Sequence, residues 1–427
     1  MRNLRIVEMQ FTNLEGELKS VDVKYERFKE FMQFGKCIDG SSVNLTPLEK
    51  SDLILKPIME TYFEVPWNEG GTARVLCDLF KPAEKSTQFG HEEEYQLSPR
   101  YILKQNMAAA KREGYDFVTG CEMEFFILKD GRFSDQAPYF APPPYDRGAT
   151  LRRKIFTTTE DLGVACEFSH HEVATSQHEI SLGNSTALRS ADNVMTFKYI
   201  AKNVAAAAGM SLTFMPKPFA GMNGSSMGTH MSLKRGTENL FYSSKERLSK
   251  LARHFLAGVL FHAKALSALV APTVNSYKRL VAGYEAPVYI CWGPINRSAM
   301  IRIPSFNSKK SARLELRSPD PLCNPYLATA GALASGLDGM KEQREPDDEI
   351  ASNAYEQTGL NKLPGTLKEA LESLKSDQVI TRALGEAAVD KYTEIKLREF
   401  KDYEKNNPIW DPATITEWEN DRYLELL

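Results

Sequence analysis

The stretch Phe168-Ser-His-His-Glu-Val-Ala-Thr-Ser-Gln-His-Glu-Ile180 places two glutamates and three histidines among strand-forming residues. Residues 173–174 and 180–182 favour strand and 175–177 favour a turn, so the pattern predicts a tight hairpin. A hairpin lets Glu172 and Glu179 face one pocket, whereas residues seven apart on one strand point to opposite faces. Carboxylates in such an apolar setting are costly unless a cation lies between them. A polar hairpin tip with solvated acids is the alternative.

The composition is that of an ordinary globular protein. The 427 residues suffice for one large domain and a smaller one, and a net charge of -3 argues against nucleic acid or an anionic membrane as the main partner. The N-terminus shows no signal peptide, and the longest apolar helix candidate, residues 256–269, is too short to span a bilayer. Six scattered cysteines without a CxxC pair predict reduced thiols and a cytoplasmic location.

The first 96 residues predict a small mixed α/β domain. Strand patterns occur at residues 4–11, 18–23, 42–44, 53–57 and 73–80, with one helix at 25–34. The tetrapeptide Asp39-Gly-Ser-Ser42 can hold a carboxylate on an exposed loop, although such a sequence is usually just a turn. Residues 81–96 are polar and acidic and predict a linker.

A second pair of acids lies on a predicted strand. A helix begins at Ser98-Pro99 and ends near Gly114, and residues 115–128 then favour strand. Strand alternation places Glu122 and Glu124 on one face and Met123 and Phe125 on the other. Two like charges side by side are expensive unless a divalent cation holds both, and an exposed strand face is the alternative.

Helices are predicted at residues 191–209 and 246–271, and a run of arginines follows the second. Arg297, Arg302, Arg313 and Arg317 alternate with apolar residues, as in strands whose polar face lines a cavity, and Glu315 is the only acid between 286 and 317. Arginine suits bidentate capture of carboxylates and phosphates, and a solvated charged strand is the alternative. The glycine-rich residues 221–233 match neither common nucleotide-binding loop, but they can present backbone N–H groups to a ligand.

Together these features predict phosphoryl-transfer chemistry. Five acids are candidate metal ligands, namely Glu122, Glu124, Glu172, Glu179 and Glu315. Oxygen ligands favour Mg²⁺ or Mn²⁺, which hold polyphosphate while arginines neutralise the transferred phosphoryl group.

Ordered motifs along nearly the whole chain resemble the type I glutamine synthetases. They are Asp39-Gly-Ser-Ser42, Glu122-x-Glu124-Phe-Phe, His170-His-Glu-Val-Ala174 with Gln177-His-Glu179, Thr213-Phe-Met-Pro-Lys-Pro218, Asn275-Ser-Tyr-Lys-Arg-Leu280, Gly283-Tyr-Glu-Ala-Pro287, Asn296-Arg-Ser298, and Arg313-Leu-Glu-Leu-Arg317 followed by Asp320-Pro and Asn324-Pro-Tyr-Leu327. The resemblance implies an α+β fold. A small β-grasp-like N-terminal domain (1–96) would precede a large catalytic domain (97–427) with a curved antiparallel sheet flanked by helices. The sites would lie between subunits of a two-ring dodecamer.

The resemblance also implies a role for each matching residue. Glu124, Glu172 and Glu179 would hold one metal, and Glu122 and Glu315 a second. Glu167 and His230 would contact the nucleotide, and Arg297, Arg302, Lys310 and Arg313 the phosphates. Asn223, Gly224, Arg279 and Arg317 would hold glutamate. Asp39 and Ser42 of a neighbouring subunit would join Tyr139, Glu172 and Glu285 around ammonium.

The implied activity is an ATP-dependent glutamate–ammonia ligase that works through γ-glutamyl phosphate. Asp39 would take a proton from ammonium, and Arg297 would act on the phosphate. Glu285 would lie on a flap that excludes water from the intermediate. Glutamate, ammonium and ATP would be the partners of a cytoplasmic homo-oligomer, with no nucleic acid or membrane.

Three positions depart from the family pattern. Gly228 stands where a histidine usually binds the second metal, Ser226 replaces a glycine, and Ala282 replaces a proline. We therefore expect two cations per site with the second weakened. Two rivals remain, a γ-glutamyl ligase for another amine and a catalytically weak regulatory or assembly homologue. Tyr355 falls near a tyrosine that some bacterial members carry adenylylated, but a surface tyrosine on a helix or loop is the interpretation we prefer.

Overall fold

The computed structural model describes residues 4–68, 70–82 and 92–427. The chain divides into two compact units, Met1–Gln105 and Asn106–Leu427. Residues 83–91 of the linker predicted at 81–96 lie outside the described residues. In the described part the prediction is wrong at Lys81, which ends a strand, and at Glu93–Glu94, which form another.

The N-terminal unit is a β-grasp-like domain around a seven-stranded sheet. Its strands are β1 (Ile6–Thr12), β2 (Leu18–Lys24), β3 (Lys36–Asp39), β4 (Asp52–Pro57), β5 (Phe63–Glu64), β6 (Thr72–Lys81) and β7 (Glu93–Glu94). They run in the order β2-β1-β6-β4-β3, β5 and β7 also pair with β6, and β1 runs parallel to β6. Helix α1 (Tyr25–Phe34) has the predicted bounds and buries Phe28 and Phe31.

The strand predicted at residues 42–44 is wrong. The strand is β3, and the chain then bends into a 3-10 turn at Ser41–Val43. The carboxylate of Asp39 explains the bend, because it accepts hydrogen bonds from the Ser41 amide (2.8 Å) and the Ser42 hydroxyl (2.6 Å). A carboxylate that bonds its own following backbone competes with an extended chain.

The second unit contains an eleven-stranded curled sheet. Its strands are β8 (Asp116–Lys129), β9 (Arg132–Phe133), β10 (Cys166–His171), β11 (Gln177–Leu182), β12 (Ser185–Thr186), β13 (Ser211–Thr213), β14 (Met227–Arg235), β15 (Glu238–Asn239), β16 (Trp292–Pro294), β17 (Ile301–Ile303) and β18 (Leu314–Leu316). The main order is β10-β11-β8-β14-β18-β17-β16, and all the pairs are antiparallel except β16 with β17. The predicted hairpin is confirmed as β10 and β11, but the strand predicted at residues 173–174 is wrong, because these residues lie in the turn, and Gln177, predicted in the turn, begins β11.

Helices make up much of the rest of the chain, and two of them, at residues 149–161 and 187–207, pack against this sheet. The helices are α2 (Pro99–Arg112), which contains the boundary after Gln105, α3 (Ala149–Asp161), α4 (Ala187–Ala207), α5 (Lys250–Phe261), α6 (Ala263–Val270), α7 (Ser276–Arg279), α8 (Pro325–Lys341), α9 (Leu367–Ser376), α10 (Gln378–Leu384), α11 (Glu386–Asn406) and α12 (Glu417–Tyr423). Among the helices described, none is both long and apolar enough to cross a membrane.

The single helix predicted for residues 246–271 is interrupted. Helix α5 begins after Ser249, whose side chain accepts a hydrogen bond from the Ala252 amide, and α6 begins after His262. The imidazole of His262 lies 2.6 Å from Asp377 and 3.1 Å from Asp338, and this buried contact fixes the residue between the two helices.

Strand β8 separates the core from the polar face as its alternation predicts. Met123 and Phe125 are fully buried, and the ring of Phe125 packs against those of Phe197 on α4 and Phe214. Glu122 and Glu124, which alternate with them, point to the opposite face. This face of the sheet therefore presents carboxylates to a pocket.

Candidate active site

The register of the sheet brings the five predicted acids together. Glu179 on β11 lies directly opposite Glu124 on β8, and His230 on β14 lies opposite Glu315 on β18. Directly opposed residues have Cβ atoms about 5 Å apart, so opposed like charges repel unless something lies between them. One pocket is lined by Glu122, Glu124, Glu172, Glu179 and Glu315 with Gln177, Asn223, Gly224, Ser226, Gly228, Arg279, Tyr284, Glu285, Ala286, Arg297 and Arg317.

Three of these acids form a group that we call the acid triad: Glu124, Glu172 and Glu179. Burial, followed by the charges of the other two acids, raises the pKa of Glu172 to about 8. Burial and neighbouring carboxylates also hold the pKa of Glu179 well above its ordinary value. No described lysine or arginine forms an ion pair with the triad, and the nearby imidazole of His170 lies 3.5 Å from Glu172 and 3.4 Å from Glu179.

The triad fits a divalent cation. Ligand atoms of His170, Glu172 and Glu179 lie within 4.8 Å of one another, and Glu124 faces Glu179 across the strands. Buried carboxylates that repel one another are stabilised when a cation lies between them. Carboxylate oxygens are the ligands that Mg²⁺ and Mn²⁺ prefer.

Glu122 and Glu315 form a second group with different surroundings, which we call the paired acids. His230 donates its Nε2–H to Glu122 Oε1 at 2.9 Å. Glu315 forms ion pairs with Arg302 and with Arg317, and its distance to Arg317 Nη1 is 3.2 Å. Burial alone raises the pKa of Glu122, but the hydrogen bond from His230 and the positive charges of Arg302 and Arg317 bring it down to about 2. The protein itself supplies the positive partners here.

Gly228 lies between the paired acids and offers no ligand. A Cβ built on Gly228 would lie 3.2 Å from Glu122 Oε2 and 3.8 Å from Glu315 Oε1. A side chain at this position would therefore reach between the two carboxylates. Because the position is a glycine and both acids already have partners, the residues present fit a second cation less well than the triad fits the first.

The glycine-rich loop holds Glu124 in place, a role that the sequence patterns do not predict. The Ser226 amide and hydroxyl donate to its carboxylate at 2.8 and 2.6 Å, and Gln177 Nε2 donates at 3.2 Å. Gln177 Nε2 also bonds the Gly224 carbonyl at 3.0 Å, which ties the hairpin to the loop.

A buried network supports the hairpin from behind. The carboxylate of Asp135 accepts from the Ser176 amide at 3.2 Å and from His171 Nε2 at 3.0 Å. Arg152 pairs with Asp146 at 2.6 Å and donates to His178 Nδ1 at 2.8 Å. Asp135, His171 and His178 are grouped closely enough to hold a metal, but the Arg152 cation beside His178 disfavours one.

An adjacent cleft contains the residues assigned to the nucleotide. It is lined by Glu122, Glu167, Phe168, His230, Lys310 and Arg313, among others. Arg313 donates to His230 Nδ1 at 3.1 Å, so Nε2 of that ring carries the proton given to Glu122. The exposed ring of Phe168 stacks on His170 at 6.0 Å and an interplanar angle of 7°. Sequence patterns give no signal for the Phe168 ring.

The arginines lie around the pocket, but the predicted strand alternation is wrong for three of them. Arg302 lies within β17, whereas Arg297 precedes that strand, and Arg313 and Arg317 flank the three-residue β18. The buried Arg279 donates to the carbonyls of residues 318 and 317 at 2.9 and 2.8 Å. These strands are too short for the alternation inferred over twenty residues.

The remaining predicted site residues lie in two places. Tyr139 stands edge-on to His170 at 5.4 Å, and Glu285 lines the acid pocket at a backbone φ of +56°. Asp39 and Ser42 belong to the N-terminal unit, and both are exposed there. Hydrogen bonds from the Ser41 and Ser42 side chains bring the pKa of Asp39 down to about 2, so its carboxylate stays ionised.

Comparisons with known proteins agree along the chain. Residues 3–82 match the family model "Glutamine synthetase, beta-Grasp domain" and residues 96–423 match "Glutamine synthetase, catalytic domain". The glutamine synthetase of Thermotoga maritima is 43% identical over 443 residues, covering 99% of this chain and 97% of the relative. The glutamine synthetase of Thermococcus kodakarensis is 43% identical over 438 residues, covering 98% of this chain and 96% of the relative. A solved GmaS/ADP complex superposes with a TM-score of 0.86 at 31% identity, over 98% of this chain and 96% of that one.

Proposed function

The chain belongs to the glutamine synthetase family, and on this premise we propose that it joins glutamate and ammonia to make glutamine at the expense of ATP. The single observation that carries the proposal is the acid triad, whose buried carboxylates lie beside arginines and a second cleft in one site. The reaction passes through γ-glutamyl phosphate, formed when the glutamate side-chain carboxylate attacks the terminal phosphate of ATP. This step brings two anions together and needs positive charge between them.

The nucleotide occupies the cleft beside the paired acids in this proposal. The exposed ring of Phe168 gives a base a flat surface, while Lys310 and Arg313 face the phosphates. The similar GmaS chain was solved as an ADP complex, which supports a nucleotide on this fold. Arg297 and Arg302 complete the positive edge toward the acid pocket.

A divalent cation, Mg²⁺ or Mn²⁺, is held by Glu124, Glu172 and Glu179 in this proposal. When bound, it supplies positive charge to the phosphate oxygens and lowers the repulsion between nucleotide and glutamate. The second cation that the family pattern implies at Glu122 and Glu315 is held only weakly, because Gly228 offers no ligand. Asn223, Gly224, Arg279 and Arg317 hold the glutamate.

Ammonium enters on the side of the acids. Glu172, Glu285 and Tyr139 draw the cation, and Asp39 with Ser42 from a neighbouring subunit of a homo-oligomer, a dodecamer in our proposal, complete its site. Asp39 receives the proton, and the neutral ammonia then attacks the acyl carbon and expels phosphate. All five residues of the proposed ammonium site are present. The two loop residues that depart from the family pattern lie elsewhere, Ser226 beside Glu124 and Gly228 beside Glu122. Because the ammonium site is unchanged, we favour ammonia over a bulkier amine.

The test is an assay of ADP and glutamine with glutamate, ATP and a panel of amines. We expect ADP release to require glutamate and ammonium together, with glutamine as product. A Glu172→Gln variant should lose the activity, whereas Glu349→Gln, which changes an exposed acid outside the pocket, should keep it.

Two results would overturn the proposal. Turnover with another amine but not with ammonium would assign the chain to a different γ-glutamyl ligase. No glutamate-dependent ADP release with any amine would favour a regulatory or assembly homologue.

A further inference from the structure

The segment that carries Glu285 has an unusual backbone and external supports. Residues 281–287 form neither helix nor strand, Gly283 has φ of +92°, and Glu285 has φ of +56°. A non-glycine residue in the left-handed region costs free energy and persists only where the surroundings hold it. The supports must therefore come from other parts of the chain.

Two side chains hold the carbonyls of this segment. Arg317 Nη2 donates to the Glu285 carbonyl at 2.8 Å, and the Tyr355 hydroxyl donates to the Ala286 carbonyl at 2.7 Å. Burial raises the pKa of Tyr355, so its hydroxyl stays protonated as a donor. The hydroxyl is thus engaged with the segment beside the pocket rather than free at a surface.

The loop that carries Tyr355 is itself fixed to the turn that carries Arg297. Asn296 Nδ2 donates to the carbonyls of residues 350 and 352 at 2.7 and 2.9 Å, and the Ala354 amide donates to Ser298 Oγ at 2.8 Å. Ala354 is fully buried and packs in one cluster with Cys291 and Ala299. Three hydrogen bonds and a buried contact therefore tie the loop of Tyr355 to the turn of Arg297.

From these contacts we infer that Tyr355 is a positioning residue that holds the Glu285 segment at a fixed distance from Arg297. The inference rests on the proposed function, because Glu285 and Arg297 line the pocket where the acyl phosphate forms. Tyr355 is not among the residues that line this pocket. It acts through the Ala286 carbonyl, one residue from Glu285.

The chemical consequence concerns water. If the Glu285 segment opens, a water oxygen attacks the acyl carbon in place of ammonia, the bond from that carbon to the phosphate oxygen breaks, and phosphate leaves. The products are then glutamate, phosphate and ADP, and one ATP is consumed without glutamine. The ratio of ADP formed to glutamine formed measures how often the segment fails to exclude water.

A Tyr355→Phe variant removes only the hydroxyl. We expect the ADP formed in excess of glutamine to rise about fivefold, the change that loss of one neutral hydrogen bond gives. The matched control is Tyr392→Phe, since the Tyr392 hydroxyl also donates to a buried backbone carbonyl, that of Ala268, at 2.6 Å outside the pocket. That variant should lose some thermal stability and leave the ratio unchanged.

Backbone amide hydrogen exchange over residues 281–287 tests the same contact without turnover. Exchange there should quicken about fivefold in Tyr355→Phe and stay the same in Tyr392→Phe. An unchanged ratio together with unchanged exchange in Tyr355→Phe would overturn the inference. A wild-type protein that makes no glutamine would instead defeat the proposed function, and hydrogen exchange alone would then decide the role of Tyr355.

Discussion

The acid triad and the paired acids line the same pocket, yet the protein treats their charges differently. The triad, Glu124, Glu172 and Glu179, has raised pKa values and no ion pair with a described lysine or arginine. Glu122 of the pair instead has a pKa of about 2, and two arginines flank its partner Glu315. A carboxylate is therefore a good candidate metal ligand when the protein leaves its charge unbalanced, and not merely because it matches a motif.

The largest expected effect comes from removing one acid of the triad. In Glu179→Gln, we expect the affinity for Mn²⁺ to fall by more than about 100-fold, since even the hydrogen-bond partners of metal ligands are worth 10- to 100-fold. Glutamine formation should fall with it. Isothermal titration of the metal-free protein with Mn²⁺ measures the affinity.

The sign of the stability change separates the two groups further. Without metal at pH 9, above the pKa of about 8 of Glu172, Glu179→Gln removes a carboxyl group that repels its neighbours and should raise the melting temperature by about 1–2 °C. Glu315→Gln leaves Arg302 and Arg317 without their buried partner and should destabilise the protein, by about 3 kcal/mol. Equal shifts of the same sign in calorimetry would remove the distinction between the groups.

A smaller effect is expected from adding a third metal ligand beside the paired acids. In Gly228→His, the imidazole would reach between Glu122 and Glu315, and the number of tightly bound Mn²⁺ ions per chain should rise from one to two. Gly228→Ala is the matched control, because it adds the Cβ without a ligand. Electron paramagnetic resonance of free Mn²⁺ counts the ions, and two tight ions in the wild-type protein would contradict the expectation.

The smallest effect is a pH dependence confined to the triad. The folded protein holds the Glu172 proton up to a pKa of about 8, whereas the unfolded chain releases it near 4.5. Stability of the metal-free protein should therefore fall as pH rises through that window. Since a proton must leave when the cation binds, affinity for Mn²⁺ should rise up to about tenfold per pH unit below 8. Melting curves from pH 6 to 9, with and without Mn²⁺, check both trends.

Local sequence patterns predict the helices, strands and turns whose conformation depends mainly on their own residues. The period of α1, the turn between β10 and β11, and the alternation of Glu122 and Glu124 with Met123 and Phe125 all follow from spacing along the chain. The family and the β-grasp and catalytic domains also follow from the motifs, and the comparisons confirm them.

The rest depends on contacts between distant residues. The break at His262 arises from Asp338 and Asp377, about 75 and 115 residues away along the chain. The pairing of Glu315 with Arg302 and the hydroxyl of Tyr355 on the Glu285 segment likewise involve no local pattern. The register of the sheet, which sets Gly228 beside Glu122, becomes visible only once the strands are paired.

The most direct test is to locate Mn²⁺ by anomalous diffraction in crystals grown with manganese and ADP. We expect one strong peak among the carboxylates of Glu124, Glu172 and Glu179, and a weak peak or none between Glu122 and Glu315. A triad without a peak, or a peak of equal strength between the paired acids, would contradict the account.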